Sequence, residues 1–557
     1  MSYDPLEQND IFKKNFHAIK HEYPLLAEQI ESWISEGNNK EFLKNTLEKS
    51  SGQEQITRYS FTEQAVGHPD TVFLYGMGCD FFLTDLARQL QKNTTMFVIE
   101  PDLPIFVEAI HLFDISNLIR QWQVKFVIGV PVESFLSNIN QYYYPIADYV
   151  TIPHPVRFQD NKDYFTSASD KISQFTKKRK PALSNKKQLR FLIFAGTTGV
   201  GWPYIMQDVI AALHHIGHKV RLFHLDDSNF IPQLQKELRT HRPDFIIMLD
   251  AIGLMPQLFE DEKIPYISWF FDNPFNWLTK KHVSPYYHIF VWDKTYVDDL
   301  KKMGFKHVYY LPLGANESVF YPQPSGRQCD ISFVGSSLWK LPDLPFENKS
   351  KQIFIELISK LLCKTPWIPI WKLIDTIAQQ YGTSFTLDDP ERRHEFELFV
   401  QNYSRTIYRK QIIQAILPFN PWLYGDPDWN NIIAQNGGVY KGRINNRIDL
   451  PALYSDTAVN INITVPQLRN SFSHRAFEIP ACGGFLLSDY RPAAEEFFKL
   501  DSEIVCFKTV GELQEKTTYY LKHSAERKRI ADNGRKRVLS EHTYTHRLKN
   551  MIESLPV

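Results

Sequence analysis

A series of short apolar runs separated by stretches of helical spacing constrains this chain more than any other feature. LRFLIFAG from Leu189, KVRLFHL, DFIIMLD, YISWFFD, HIFVWD and VYYLPLG follow in order and close near Tyr321-Pro322. Near-continuous apolar runs, unlike alternating ones, mark strands covered on both faces, so they predict a parallel sheet between helices. A further series opens at DISFVGS and resumes with PWLYGDPDW, GVYKGRI, AVNINIT, GFLLSD and IVCFK. Residues 345–417, between them, keep helical spacing (Ile353, Phe354, Leu357, Leu361) and read as an insertion into the sheet.

Nearer the N-terminus, TVFLYGMGCDFFLTDLARQLQKNTTMFVIEPD reads as strand, tight Gly76-Met-Gly78 turn, helix and second strand ending at Glu100 and Asp102. With strands at VKFVIGV and YVTIP it forms a small Rossmann-like α/β domain. The spacing therefore predicts a helical lead-in over 1–65, this domain over 66–165, a charged linker over 166–187, an α/β domain over 188–322, a second over 323–545 and a tail over 546–557. At 557 residues, several domains are required in any case.

Composition narrows the function. Lys plus Arg and Asp plus Glu both number 63, so no global field recruits nucleic acid or an anionic membrane, and any anion site is local. Cys79, Cys329, Cys363, Cys482 and Cys506 have neither disulfide-framework nor zinc spacing. MSYDPLEQNDIFKKN lacks the apolar core of a signal peptide and no run is long enough to span a bilayer, so a soluble, cytoplasmic protein is expected.

SHRAFEIPACGGFLLSD carries the chemistry. In a parallel α/β sheet, ligands sit at the carboxyl ends of strands and at helix N-termini. Ser473 is placed to cap a short helix, Arg475 to grip phosphate oxygens from its first turn, and Glu478 to take a sugar hydroxyl from the same face. Gly483-Gly484 ends that helix. Taken alone, Arg475 and Glu478 also fit a solvated ion pair.

FEIPACGGFLLSDYRP resembles the helix-Gly-Gly-strand segment of CgeB-like (spore-maturation type) glycosyltransferases, a branch of the two-Rossmann-domain GT-B enzymes. The resemblance extends, in the family's order, to YLPLGANESVFYP, DISFVGS and GGVYKGRINNRIDLPALYSDTAVNINIT, over roughly residues 188–545. It implies a GT-B fold with an added N-terminal Rossmann-like domain, and a sugar transferred from a nucleotide-diphosphate sugar to a protein or glycan. No cofactor is implied beyond that co-substrate. It also implies that Glu478 binds the ribose, that Arg475 and the amides of residues 473–476 lie near the diphosphate, that Gly335 and Ser336 approach the phosphates, and that Lys441 and Arg443 lie near the base or phosphate. Asn470 stands where retaining GT-B enzymes often have Glu, leaving the stereochemistry open.

Arginine and a helix terminus stabilise a departing diphosphate without a metal, and no metal is expected. Asp426-Pro-Asp428 has D-x-D spacing but follows a strand and contains Pro, which favours a turn. On the acceptor side, Gly199, Gly201 and Trp202 form a Gly-rich loop that is not a P-loop. Asp272 in SWFFDNP and Asp250 in IIMLDAIG end adjacent apolar runs, and Asp272 is the preferred proton acceptor.

Two other classes stay open. Gly76, Gly78 and Glu100 lay out part of a dinucleotide or S-adenosylmethionine site, with the third Gly absent. A non-catalytic scaffold would keep the folds alone. FLYGMG with VIEPD resembles the Rossmann-like part of the motif-associated-factor flagellin glycosylation proteins, which implies a protein acceptor such as flagellin.

Overall fold

The computed structural model describes residues 10–35, 71–79, 81–89, 94–120, 124–136, 139, 149–178, 188–195, 202–224, 230–251, 256–323, 326, 329–338, 340–341, 349–381, 390–433, 437–465 and 468–556. It divides into two compact units, residues 1–186 with 221–223, and residues 187–220 with 224–557.

In the first unit, β1 (Thr71–Tyr75), β2 (Thr95–Glu100), β3 (Val124–Ile128) and β4 (Tyr149–Pro153) form a parallel sheet in the order β3-β2-β1-β4. The unbroken apolar run of β1 has a simple cause. Val72 and Leu74 enter one buried cluster with Phe12, Ile19 and Leu26 of the leading helices. Phe73 and Tyr75 enter another, with Phe165 and Ile172. Those last two residues belong to the helix Lys162–Lys178, which corrects the linker reading over 166–178, residues 179–187 lying outside the described set: its Ser- and Lys-rich composition hid an apolar stripe that covers the sheet. Of the lead-in, the helices Asp10–Glu22 and Pro24–Ser35 are described; residues 36–65 lie outside the described set.

Two six-stranded sheets follow, all of whose residues but 221–223 fall in the second unit. One comprises β5 (Arg190–Ala195), β6 (Lys219–His224), β7 (Phe245–Leu249), β8 (Tyr266–Phe270), β9 (Tyr287–Val291) and β10 (His307–Tyr310), in the order β10-β9-β8-β7-β5-β6. The other comprises β11 (Cys329–Val334), β12 (Trp422–Tyr424), β13 (Val439–Tyr440), β14 (Thr457–Asn462), β15 (Leu486–Asp489) and β16 (Val505–Phe507), in the order β13-β12-β11-β14-β15-β16, parallel throughout. Strand order reverses beside β11, and the crevice outside its carboxyl end is where such sheets hold ligands.

Helices Lys349–Lys364, Ile370–Tyr381 and Pro390–Ile416 stand between β11 and β12. They share a core of their own around Ile358, Ile374 and Val400. The end of the last helix instead joins the sheet's core through Tyr408, Ile412 and Ile416.

The chain then recrosses. Ala315 and Thr543 form a parallel bridge, with Ala315 N–H on His542 O and Tyr544 N–H on Ala315 O, both at 3.0 Å. Helix Tyr544–Glu553 packs on helix Trp202–His215 of the other sheet. Residues 546–553 are thus part of a docked helix and not of a tail, because Leu548 and Met551 are buried apolar residues at helical spacing.

Candidate active site

The site is built outward from helix Arg475–Ala481. Its first residue follows His474, which occupies the cap position in helical conformation without a side-chain cap bond. Ser473 therefore does not cap, a correction; its hydroxyl donates to Asn462 Oδ1 at 3.2 Å and fastens the loop to the end of β14. At the other end, Gly483 adopts φ +71° while its N–H reaches Pro480 O and that of Gly484 reaches Ile479 O. A Cβ on Gly484 would lie 2.5 Å from Tyr454 O, so the return to β15 requires glycine.

Glu478 is buried, and its Oε2 has no hydrogen-bond partner among the described residues. Burial pushes the carboxyl up to about 8, against the pull of Arg475 and Arg447. His474 Nε2 stands 4.0 Å from that oxygen, and burial beside the same two guanidiniums pushes the imidazole down to about 3. At neutral pH Glu478 is thus mostly a neutral acid beside a neutral imidazole.

Arg475 and Arg447 act on that carboxyl, and Arg475 and Arg405 act in turn on Arg409. Arg409, on helix Pro390–Ile416, donates from Nη1 to Ser336 O at 2.6 Å and lies over the Phe333 ring at 4.9 Å. Burial, then repulsion from Arg475 and Arg405, pushes it down to about 9. Arg405, one turn earlier, is lowered by burial and drawn back by the charge of Asp272. Arg447 is wholly buried on Asp208. Among the described residues, Nε of Arg405, Arg409, Arg447 and Arg475, with Nη1 of Arg447, are buried without a hydrogen-bond partner. Buried donors left bare carry a desolvation penalty that an anion removes.

The loop after β11 is braced around this cluster. Gly335 O accepts from Trp429 Nε1 at 3.0 Å, and Asp426 accepts from Ser337 N–H at 2.7 Å and from its hydroxyl at 2.6 Å. Asp428 accepts from Asn431 at 3.3 Å. The Asp426-Pro-Asp428 pair is therefore a loop clasp, and no group of side chains suited to a metal ion occurs among the described residues.

Asp250 and Asp272 end β7 and β8. Asp250 has φ +50°, and its Oδ1 accepts the N–H groups of Phe271 and Asp272, both at 3.2 Å. Burial, then the charge of Asp272, pushes it up to about 7. Asp272, less buried, is also raised by burial and accepts from Asn273 N–H at 2.7 Å. Asn470 N–H donates to Asp293 Oδ2, at the end of β9, at 2.7 Å, so the loop carrying Asn470 is pinned to the opposing sheet domain.

Several expected residues stand apart. Lys441 and Arg443 are exposed, and Lys441 lies over the Trp422 ring at 4.2 Å, outside the buried cluster. Gly199 and Gly201 lie outside the described residues; Trp202 begins a helix, and its side chain is not described. Sequence reasoning missed Arg405, Arg409 and Arg447. The first two share a helical face at i, i+4 spacing in YSRTIYRK, a detectable signal; Arg447 in NNRIDLP has none.

In the first unit, the crevice suggested by Gly76, Gly78 and Glu100 is occupied by the chain itself. Arg157 Nη2 and Nε reach the two oxygens of the fully buried Glu100 at 3.1 and 3.4 Å, and Arg157 also pairs with Asp102. The positions where Gly76 and Gly78 would carry a Cβ lie 2.5 Å from Arg157 Cβ and 2.4 Å from His154 Nε2. A ribose has neither a free carboxylate nor room, so these residues do not fit a dinucleotide or S-adenosylmethionine.

The two six-stranded sheets pair their strands in parallel, with the crossover strand order of Rossmann-like domains. Residues 405–553 match a family model described as "Glycosyl transferase-like". No curated protein matches the chain. Among solved structures it is similar to a sucrose-phosphate synthase from Thermosynechococcus elongatus, at 11% identity over 66% of this chain and 98% of that one, with TM-score 0.43. It is similar also to HepE of Anabaena in complex with UDP and glucose, at 10% identity over 66% and 99%, with TM-score 0.41. A glycosyltransferase from Rickettsia africae ESF-5 gives 12% identity over 66% and 98%, with TM-score 0.40. Among the described residues no helix is long and apolar enough to cross a membrane.

Proposed function

We propose that this chain is a CgeB-like glycosyltransferase that moves a sugar from a nucleotide-diphosphate sugar to a protein, such as flagellin, or to a glycan, without a metal ion, in the cytoplasm. The observation that carries the reading is that guanidinium nitrogens of Arg405, Arg409, Arg447 and Arg475, together with Oε2 of Glu478, are buried without a hydrogen-bond partner among the described residues. Such a set suits a bound diphosphate whose charge grows as the sugar departs. The family-model match over 405–553 supports it independently.

In this reading Arg475 and Arg409 hold the diphosphate, the braced Gly335-Ser336 loop approaches it, and Glu478 takes the ribose hydroxyls. Asp272 accepts the proton of the acceptor hydroxyl. The acceptor oxygen bonds to the anomeric carbon, and the sugar–phosphate bond breaks with its electron pair going to the phosphate oxygen. The flagellin proposal rests on the FLYGMG and VIEPD resemblance in the first unit.

Calorimetry with UDP-, GDP-, ADP-, CDP- and dTDP-sugars tests the reading. One donor class is expected to bind wild type and to lose at least tenfold in affinity with Glu478→Ala; no binding by any donor overturns it.

A further inference from the structure

The crossover from β8 to β9 carries no α-helix. Residues 271–286 run back along the sheet through two short turns of 3-10 helix, Pro274–Asn276 and Lys280–His282. Asn273 Oδ1 caps the first by accepting from Phe275 N–H at 3.1 Å, and Thr279 N–H donates to His282 Nδ1 at 3.0 Å across the second. Leu278, between the turns, is buried and anchors the segment. The anchored segment holds its neighbouring side chains outward: Trp277 is 42% and Val283 39% exposed, and Lys280 and Lys281 are exposed with them.

Helix Thr295–Lys302, in the next crossover, lies alongside. The Phe275 and Tyr296 rings meet edge-on at 5.9 Å, and a Cβ on Gly304 would lie 3.6 Å from Val283 Cγ2. Contact at both ends sets the two crossovers side by side, so Lys280 and Lys281 share a surface with Lys301, Lys302 and Lys306, all exposed. Residues 276–285 and 300–307 contain no Asp or Glu. Asp299, one turn back on the helix, pairs with Lys302 at 3.5 Å, and the other four lysines have no ion pair among the described residues. Positive charge is therefore in local excess, although the whole chain is neutral.

The chemistry of the surface selects its occupant. Every cation in it is a lysine, a residue depleted from protein–protein interfaces and lacking the planar fork that reads a carboxylate or phosphate in fixed geometry. A lysine stem lies along apolar material while its ammonium stays in water, which suits a diffuse negative surface. Tryptophan favours the same boundary, its ring at the apolar edge and its N–H among polar groups.

We propose that the surface formed by Trp277, Lys280, Lys281, Val283, Lys301 and Lys306 docks the chain on an anionic lipid bilayer. Trp277 and Val283 enter the headgroup boundary, and the lysines face the acidic headgroups. The contact is peripheral and does not depend on the glycosyltransferase reading.

The test is flotation of the full chain with vesicles of phosphatidylcholine alone and of phosphatidylcholine and phosphatidylglycerol in equal parts. Wild type is expected to float with the anionic vesicles and not with the neutral ones, and to be released as salt is raised. Lys280→Glu with Lys281→Glu is expected to lower partitioning about tenfold or more. Lys301→Glu with Lys306→Glu repeats the test from the helix side, and keeps it decisive if circular dichroism shows the first pair misfolded. Anionic vesicles are expected to shift tryptophan emission to the blue in wild type, and Trp277→Ala to lose that shift. Equal flotation with both vesicles, no flotation with either, or wild-type partitioning in a folded lysine variant overturns the proposal, as does a blue shift that persists without Trp277. Binding of polyglutamate without flotation overturns it in favour of an acidic protein partner.

Discussion

Asp426 clasps Ser337 with both carboxylate oxygens, one on the backbone N–H at 2.7 Å and one on the hydroxyl at 2.6 Å. Against burial, these bonds hold the Asp426 carboxyl below its ordinary range. Asp426→Ala removes them and frees the loop that Arg409 and Trp429 brace from its other side. The expected loss is about 2 kcal/mol of stability, read by denaturant unfolding. Donor affinity falls with it, and chelation by EDTA leaves wild-type turnover unchanged; a chelator-sensitive wild type would make Asp426 a ligand instead of a clasp.

The two carboxylates at the ends of β7 and β8 have different work in this account. With Asp272 proposed as the proton acceptor, Asp272→Asn is expected to lower kcat about 100-fold or more while leaving the donor Kd within twofold. Asp250 orients the Phe271 and Asp272 amides through one oxygen. Asp250→Asn keeps that oxygen, so its kcat should fall far less. Equal losses in steady-state kinetics would contradict this division.

Glu478 gives a pH signature. Its folded pKa, about 8, is above the unfolded value near 4.5, so between those limits the folded chain keeps a proton that the unfolded chain has lost. Stability contributed at this site therefore falls as pH rises from about 4.5 to about 8 and levels off above. Asp250, raised to about 7, acts in the same direction. Glu478→Gln cannot lose a proton, so its Tm relative to wild type should climb between pH 5 and pH 8. A difference that stays flat across that range would place the Glu478 carboxyl outside the described environment.

How much of this was legible in sequence depended on periodicity. The central strands of all three sheets could be read because burial on both faces leaves unbroken apolar runs, as in FIIML and YISWF. Gly483-Gly484 was legible because a left-handed turn and a close approach both demand glycine there. The helix Lys162–Lys178 was not, since Phe165 and Ile172 are sparse among Ser and Lys. Arg447 was illegible for a different reason: the carbonyl it meets, on Tyr204, is 243 residues away, and an arginine in a polar segment looks like any exposed one. Ser473 misled because its hydroxyl found Asn462 in place of the helix end.

In the first unit the prediction concerns stability. Arg157 is the cation on a fully buried Glu100, so Arg157→Ala leaves that carboxylate unpaired and is expected to destabilise the unit by about 3–5 kcal/mol. Arg157→Ala with Glu100→Gln should recover part of the loss. Calorimetry should show wild type binding neither NAD nor S-adenosylmethionine; binding that depends on Glu100 would show that Arg157 yields to a ligand.

The most direct measurement is release of nucleoside diphosphate from a panel of nucleotide sugars by wild type and by Arg409→Ala, with folding of the variant checked by circular dichroism. The account predicts release from one donor class by wild type, at least 100-fold slower in the folded variant, because Arg409 joins the braced loop to the site where charge develops. No release from any donor, or equal rates in the two proteins, would contradict it.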